Sequence, residues 1–293
     1  MIYLLYFSII FIYWQGGVFT DYIKKGNSIY FEADDFDLEQ TLDCGQAFRF
    51  QKQSDESFAG MALDKPLFIK KSGSEFVMEN ANDEDFCEFW QNYFDFDTDY
   101  KKLKSGYSED EYLKSACEYA SGIRLLKQNS WEALCSFIIS QNNNIPRIKG
   151  IIERLCGNFG EETDYGFSFP TAKRLAVLSE DDLAPIKSGF RAKYILDAAK
   201  KVADEQIDLK YVKSMPIDSA REELQKIKGV GPKVAECALL FGMYRTEAFP
   251  LDVWMKKVMN KFYPDGFPAC YEETKGIAQQ YLFHWARTNL INF

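Results

Sequence analysis

Lys233 and Asp252 are the residues whose type and placement could carry covalent chemistry in this chain. Lys233 lies in Leu224-Gln-Lys-Ile-Lys-Gly-Val-Gly-Pro-Lys-Val-Ala-Glu-Cys-Ala-Leu-Leu-Phe-Gly. That stretch reads as a helix ending on apolar Leu224 and Ile227, a tight Gly229-Val-Gly231 turn, and a second helix opening on Pro232. Proline suits a first-turn position, where its missing N–H costs nothing. A lysine there is oddly placed for stability, because the positive end of the helix dipole disfavours a cation. Partial burial and that dipole favour the uncharged amine. An uncharged amine is a nucleophile that can form a Schiff base. Cys237, four residues on, shares its helix face. Asp252 follows in Pro250-Leu-Asp-Val-Trp-Met. Taken alone it reads as an N-cap; paired with the lysine it reads as a carboxylate that stabilises positive charge and helps move protons.

The element that must position the lysine is the hairpin. Its glycines allow positive φ and close approach of a partner to the backbone. Free N–H groups at the start of the second helix make an anion site, and on DNA that anion is a backbone phosphate. An ordinary helix–helix corner needs only the glycines. The apolar flanks and the Pro-Lys-Val-Ala continuation favour a helix-hairpin-helix DNA element. The net charge of −9 argues the other way, because phosphate binding needs a positive footprint. The charge is uneven, however. Residues 121–260 hold 21 Lys/Arg and 18 Asp/Glu, whereas the remainder holds 14 and 26. A local basic surface is therefore compatible with the composition.

The 293 residues, 46% of them apolar, suffice for a sizeable core and more than one domain. Seven widely spaced cysteines and no C-x-x-C point to reduced thiols rather than disulfides, zinc or an iron–sulfur cluster. A single histidine, His284, makes a Ser-His-Asp triad improbable. Short aromatic and β-branched runs at 28–32, 47–51, 57–63 and 66–70 predict an antiparallel sheet with a short helix at 37–42. From residue 83 the period turns helical. Helices are expected at 83–94, 129–140 (capped by Asn129 or Ser130), 147–159, 172–179, 180–187, 192–202, 219–227, 232–242, 253–262 and 271–287. The fold class is α+β: a sheet domain over 21–110, then a helical domain over 111–293. Residues 1–20 form an apolar extension. Residues 1–14 read as a membrane or interface anchor, an extra packed element, or an over-extended start; they are short for a span and poor as a signal peptide.

At the hairpin and aspartate segments the chain resembles the helix-hairpin-helix, Gly-Pro-Asp superfamily of DNA glycosylases, and within it the 8-oxoguanine DNA glycosylase/AP lyases. The resemblance runs from about residue 21 to residue 283. It implies Lys233 as Schiff-base nucleophile and Asp252 as its partner. Cys44-Gly-Gln-Ala-Phe-Arg-Phe resembles the family's Ser-Gly-Gln-Ser-Phe-Arg-Trp, which gives Gly45 as the carbonyl that accepts the N7–H of 8-oxoguanine. Gly45 as a strand-bulge glycine fits as well. Ser140-Gln-Asn-Asn-Asn-Ile-Pro-Arg resembles the segment that implies Asn142 in the space left by the flipped nucleotide and Arg147 on the orphaned cytosine. Gly189-Phe-Arg-Ala-Lys-Tyr implies Phe190 as wedge and Arg191 as second cytosine reader. Gly276-Ile-Ala-Gln-Gln-Tyr-Leu-Phe implies Gln279 on the Watson–Crick edge and Phe283 stacked on one face of the base, with Cys237 on the other. Gly229 and Gly231 fall at the hairpin's DNA contact. The chain departs from the family at Trp254, where many members have a phosphate-contacting His, and more mildly at Pro146, Phe190 and Leu251.

The resemblance implies a bifunctional enzyme on duplex DNA containing 8-oxoguanine opposite cytosine. The expectations that go with it are no redox cofactor, no metal, a monomer, no membrane partner, and an intracellular location with DNA. A glycosylase for another lesion, such as an alkylated purine, and a non-catalytic DNA-binding module are the rival readings.

Overall fold

A computed structural model describes residues 20–290. The apolar stretch at 1–14, on which the anchor reading rests, lies outside the described residues. Six strands form one antiparallel sheet: β1 (Tyr22–Lys25), β2 (Ser28–Phe31), β3 (Phe50–Lys52), β4 (Phe58–Ala62), β5 (Lys65–Ser72) and β6 (Glu75–Glu79). Their order is β1-β2-β6-β5-β4-β3. Period-two burial sets the register: Ile29 and Phe31 in β2, and Leu67 and Ile69 in β5, all point to one face. Ile29 and Ile69 both pair with Met78 of the shared neighbour β6. Phe31, Phe36, Phe76, Phe86, Phe94 and Phe96 fill that face with tilted and stacked rings 4.9–5.6 Å apart. Each such ring, fully buried, contributes about 2–3 kcal/mol.

The helices that follow include α1 (Ser130–Ser140), α2 (Ile145–Phe159), α3 (Ala192–Ala203), α4 (Ile217–Gln225), α5 (Pro232–Cys237), α6 (Val253–Phe262) and α7 (Lys275–Asn289). The α+β architecture is thus the expected one. Asn129 caps α1 through the amides of Trp131 and Glu132, while Ser130 donates to the Gly242 carbonyl at 2.7 Å.

Several elements differ from the sequence expectation. Residues 47–49 are irregular rather than strand, because the loop before them is fixed by other bonds described below. Residues 180–187 form turns and a short 3-10 segment, Ala184–Ile186. Pro185 cannot sit inside an α-helix, and Ser179 and Asp182 exchange side-chain bonds that close a local turn instead. The expected helix at 232–242 is α5 followed by a π turn over Ala238–Gly242. The expected helix at 271–287 begins as a 3-10 turn, Ala269–Thr274, before α7. Strands β1 and β6 and the helices Tyr100–Gly106, Glu111–Tyr119 and Leu209–Ser214 were not anticipated.

Between the sheet and α1 runs a buried extended segment, residues 122–128, with no regular ladder of its own. Its backbone is satisfied partly by single backbone bonds, such as Lys127 N–H to the Tyr93 carbonyl at 3.0 Å, and largely by side chains. Thr41 Oγ1 donates to the Gly122 carbonyl at 3.0 Å and accepts from the Arg124 amide. Gln46 donates to the Arg124 carbonyl at 2.8 Å and accepts from the Leu126 amide at 3.0 Å. The Tyr100 hydroxyl accepts from the Leu125 amide. Asp95, wholly buried, accepts from Tyr100, Tyr244 and Thr98 and pairs with Lys127.

Candidate active site

The hairpin holds Lys233 through three local features. Gly229 has φ +81°, and a Cβ there would stand 2.4 Å from the ring of Tyr194 on α3. Conformation and space therefore both require glycine. Gly229→Ala is expected to cost about 2–4 kcal/mol, read as a lowered urea midpoint at unchanged slope; wild-type stability would show that the ring simply moves aside. Gly231 is extended, has open space above it, and begins α5 with no side-chain cap, so the first-turn N–H groups stay unclaimed by side chains. Glu236, one turn beyond Lys233, accepts from Arg221 of α4 and from the Phe249 amide at 2.5 Å. That residue ties the second hairpin helix to the loop leading to Asp252. The sequence reading missed it; its signal was a carboxylate at i+3 from the lysine, half-buried beside an apolar face.

Lys233 is half-buried, with Nζ 5.5 Å from the centroid of Phe137 on α1. It acts on two neighbours. Burial pushes the Cys237 thiol up, and the Lys233 cation draws it partly back, to about 11. Burial likewise holds the Asp252 carboxyl above its usual 3.8, opposed by the Met255 amide and then by the Lys233 cation. Asp252 caps α6, accepting from the Met255 amide at 2.8 Å. The cap is therefore formed, and the carboxylate stays within electrostatic reach of Lys233. Trp254 lies against Lys257, 4.9 Å from its ring centroid.

A second set of residues meets beside this pair. Gly45 has φ +95°, and a Cβ there would lie 3.6 Å from Ile145 Cδ1 and 4.0 Å from Phe283 Cε1. The loop is pinned by Gln46, 1% exposed, whose side chain bonds the Thr41 and Arg124 carbonyls and the Leu126 amide. Gln46 is a positioning residue that the sequence reading passed over, although it lies inside the quoted motif. Phe48 from the same loop packs edge-on against Phe137, 5.7 Å away, so the loop and the lysine share one aromatic neighbour. Gln279 on α7 is buried; its amide donates to the Pro250 carbonyl at 3.3 Å and accepts from Gln280 at 2.6 Å. Phe283 is one turn further on, half-buried.

The remaining candidates form a neighbouring cluster. Asn142 is exposed at φ +46°. Asn144 caps α2 by accepting from the Arg147 amide at 3.0 Å, which leaves the Arg147 side chain exposed. Phe190 projects from the 3-10 turn Gly189–Arg191, 47% exposed. Arg191 behaves differently from Arg147. It is 2% exposed, stacks on Phe190 at 4.4 Å, and donates to the carbonyls of Gln141, Asn142 and Ser188. Burial, and after it the Arg147 cation, lower its pKa. Arg191 thus ties the Gly189–Arg191 turn to the loop carrying Asn142.

All seven cysteines are free. Among the described residues no group of three or more His, Cys, Asp or Glu could hold a metal ion, and no helix is long and apolar enough to cross a membrane.

Residues 28–134 match the 8-oxoguanine DNA glycosylase N-terminal domain, and residues 135–279 match the HhH-GPD superfamily of base excision DNA repair proteins. An N-glycosylase/DNA lyase of Saccharomyces cerevisiae is 39% identical over 158 residues, covering 48% of this chain but only 42% of the yeast protein. A probable N-glycosylase/DNA lyase of Methanothermobacter thermautotrophicus is 31% identical, covering 61% of this chain and 68% of its own length. The structure of Clostridium acetobutylicum 8-oxoguanine glycosylase/lyase, in complex with double-stranded DNA containing cytosine opposite 8-oxoguanine, superposes with a TM-score of 0.86 at 36% identity. That match covers 93% of this chain and 99% of that one. With both domain families matched in order and the fold shared over 93% of this chain, the chain belongs to the 8-oxoguanine DNA glycosylase/AP lyase family of the helix-hairpin-helix Gly-Pro-Asp superfamily.

Proposed function

We propose that this protein excises 8-oxoguanine paired with cytosine from duplex DNA and then cleaves the strand, with Lys233 as nucleophile. The observation that carries the reading is a half-buried Lys233 at the start of α5, over the Phe137 ring on which the Gly45 loop also packs, with the Cys237 thiol and the Asp252 carboxyl within its electrostatic reach. The Lys233 ammonium gives up a proton and attacks C1′ as the free amine, the bond from C1′ to the base breaks with its electron pair on the base, and the proton ends on the departing base. Opening of the sugar ring leaves a Schiff base. Loss of a C2′ proton then expels the 3′ phosphate by β-elimination. Asp252 balances the positive charge that grows on the sugar.

Base choice falls to the adjacent set. The Gly45 carbonyl accepts the N7–H of 8-oxoguanine, whereas guanine presents a lone pair there and leaves a buried acceptor unpaired. Gln279 meets the Watson–Crick edge, and Phe283 and Cys237 close the two faces. Extrusion costs a few kcal/mol of unstacking. Asn142 and Phe190 hold the vacated stack. Arg147 and Arg191 read the cytosine through its O2 and N3 acceptors. Arg191 does so by exchanging its bonds to carbonyls 141 and 142, a cost that exposed Arg147 does not bear. Gly229 and Gly231 let a phosphate approach the hairpin. The protein acts as a monomer, where DNA is found.

The test is a labelled duplex carrying 8-oxoguanine opposite each of the four bases in turn, incubated with protein and borohydride. A covalent adduct and cleavage fastest opposite cytosine are expected. No adduct and no base release with wild-type protein would leave only a DNA-binding module. An alkylpurine specificity is separated from this one by Gly45→Ala. Alanine is strained at φ +95° and shifts the carbonyl, so 8-oxoguanine release should fall about thirty- to a hundredfold, the 2–3 kcal/mol of a misplaced buried acceptor. Cleavage at a preformed abasic site should change little. Unimpaired 8-oxoguanine release would remove Gly45 from base recognition.

A further inference from the structure

One cation beside the Gly45 loop has no part in the chemistry above. Arg287 lies on α7 four residues beyond Phe283, on the same helix face. Its guanidinium carbon stands 5.5 Å from the centroid of the Phe283 ring. Its Nη1 donates to the Cys44 carbonyl at 3.4 Å. One half-buried side chain therefore touches both the ring of Phe283 and the peptide that enters Gly45. The Cys44 carbonyl and the Gly45 amide lie in one rigid plane. Gly45 turns from that plane at φ +95°, so the direction of its own carbonyl follows from where the plane is held. Gln46 holds the loop from the other side. Arg287 also acts on the Asp252 carboxyl, but as the smallest of the influences on it, behind burial, two amides and Lys233. The stronger connection is to the loop.

We propose that Arg287 is a positioning residue for base recognition. It pins the Cys44–Gly45 peptide against Phe283 so that the Gly45 carbonyl faces the extruded base. The inference rests on the proposed role of Gly45. It predicts a split that a general structural or phosphate-binding role would not produce, because an abasic site has no base for the loop to read.

The test compares Arg287→Ala, and Arg287→Lys as a milder variant, with wild type in single-turnover reactions. The substrates are an 8-oxoguanine–cytosine duplex and the same duplex carrying a preformed abasic site. Base release should fall about ten- to a hundredfold in Arg287→Ala and less in Arg287→Lys, with abasic-site cleavage held within about threefold. In a Gly45→Ala background the arginine substitution should cost almost nothing more, since the acceptor is already misplaced. Equal losses on both substrates, or a shallower salt dependence of DNA binding, would show a phosphate contact or an effect through Asp252 and overturn the proposal. So would unchanged base release. Failure of the wild-type protein to release 8-oxoguanine would instead overturn the functional reading, so the two failures are distinguishable.

Discussion

Lys233→Gln is expected to eliminate the borohydride-trapped adduct and to slow 8-oxoguanine release by about 10⁴-fold, the scale on which removal of a covalent nucleophile acts. An amide nitrogen has no lone pair to offer C1′. Glutamine is close to lysine in reach and can keep the packing over Phe137 and beside Cys237, so the melting temperature should hold. Losing the cation removes the influence that draws the Cys237 thiol down. That thiol, which burial holds up at about 11 even against the lysine's pull, stays neutral near pH 7, and the site gains no new buried charge. Binding to the lesion duplex should persist, with at most about one unit off the salt slope if the ammonium meets a phosphate. A gel of trapped adduct and a filter-binding isotherm on the same preparation separate chemistry from binding. A persistent adduct in the variant would move the nucleophile elsewhere.

Asp252 gives the second large effect, and its two roles can be separated. Asparagine caps helices as well as aspartate does, so Asp252→Asn keeps the bond from the Met255 amide and removes only the charge. Release of the base should fall about 10²–10⁴-fold. Asp252→Ala loses the charge and about 1 kcal/mol of capping as well. The pH dependence follows from the direction of the shift. Burial raises the folded-state carboxyl above its unfolded value of 3.8, so the protonated form is the one favoured by folding. Ionisation costs stability as pH rises from 3.8 through the folded value, and the cost is complete above it. Asp252→Asn should therefore melt at or above wild type at neutral pH and lose this advantage in acid. For activity the ionised form is needed, so the acid limb of the pH–rate profile should lie above 3.8. Thermal melts at two pH values and a single-turnover pH series check both statements. Full activity in Asp252→Asn would reduce Asp252 to a cap.

What was legible in the sequence was local. The α5 start at Pro232, the cap at Asp252 and the glycine turn announce themselves because their residues satisfy backbone needs within a few positions. The contacts that assemble the site are long-range. Gln46 reaches the Arg124 carbonyl and Glu236 reaches Arg221 and Phe249, and no periodicity encodes such pairings. The turn region at 180–187 misled because its composition is helical while Pro185 and the Ser179–Asp182 exchange are not. Strand β6 went unseen because Phe76, Val77 and Met78 are all buried, which erases the alternation that marks a half-exposed strand. Arg191 could not be told from Arg147 by type; only coordinates show one turned inward and the other free.

The extended segment at 122–128 has a mechanical consequence. It is clamped by Gln46 on one side and leads directly into α1, which carries the ring beneath Lys233. Recoil is thereby denied to the loop bearing the Gly45 carbonyl. Two bases that differ by one hydrogen at N7 can be told apart only if the probe facing them does not give way. In a pliant loop the carbonyl would retreat from guanine's lone pair and most of the penalty would dissipate. Here a retreat would have to drag the whole junction between sheet and helices with it. Under the proposed role of Gly45, stiffness supplied by two buried side chains, Thr41 and Gln46, sets how sharply a damaged letter stands out from an intact one.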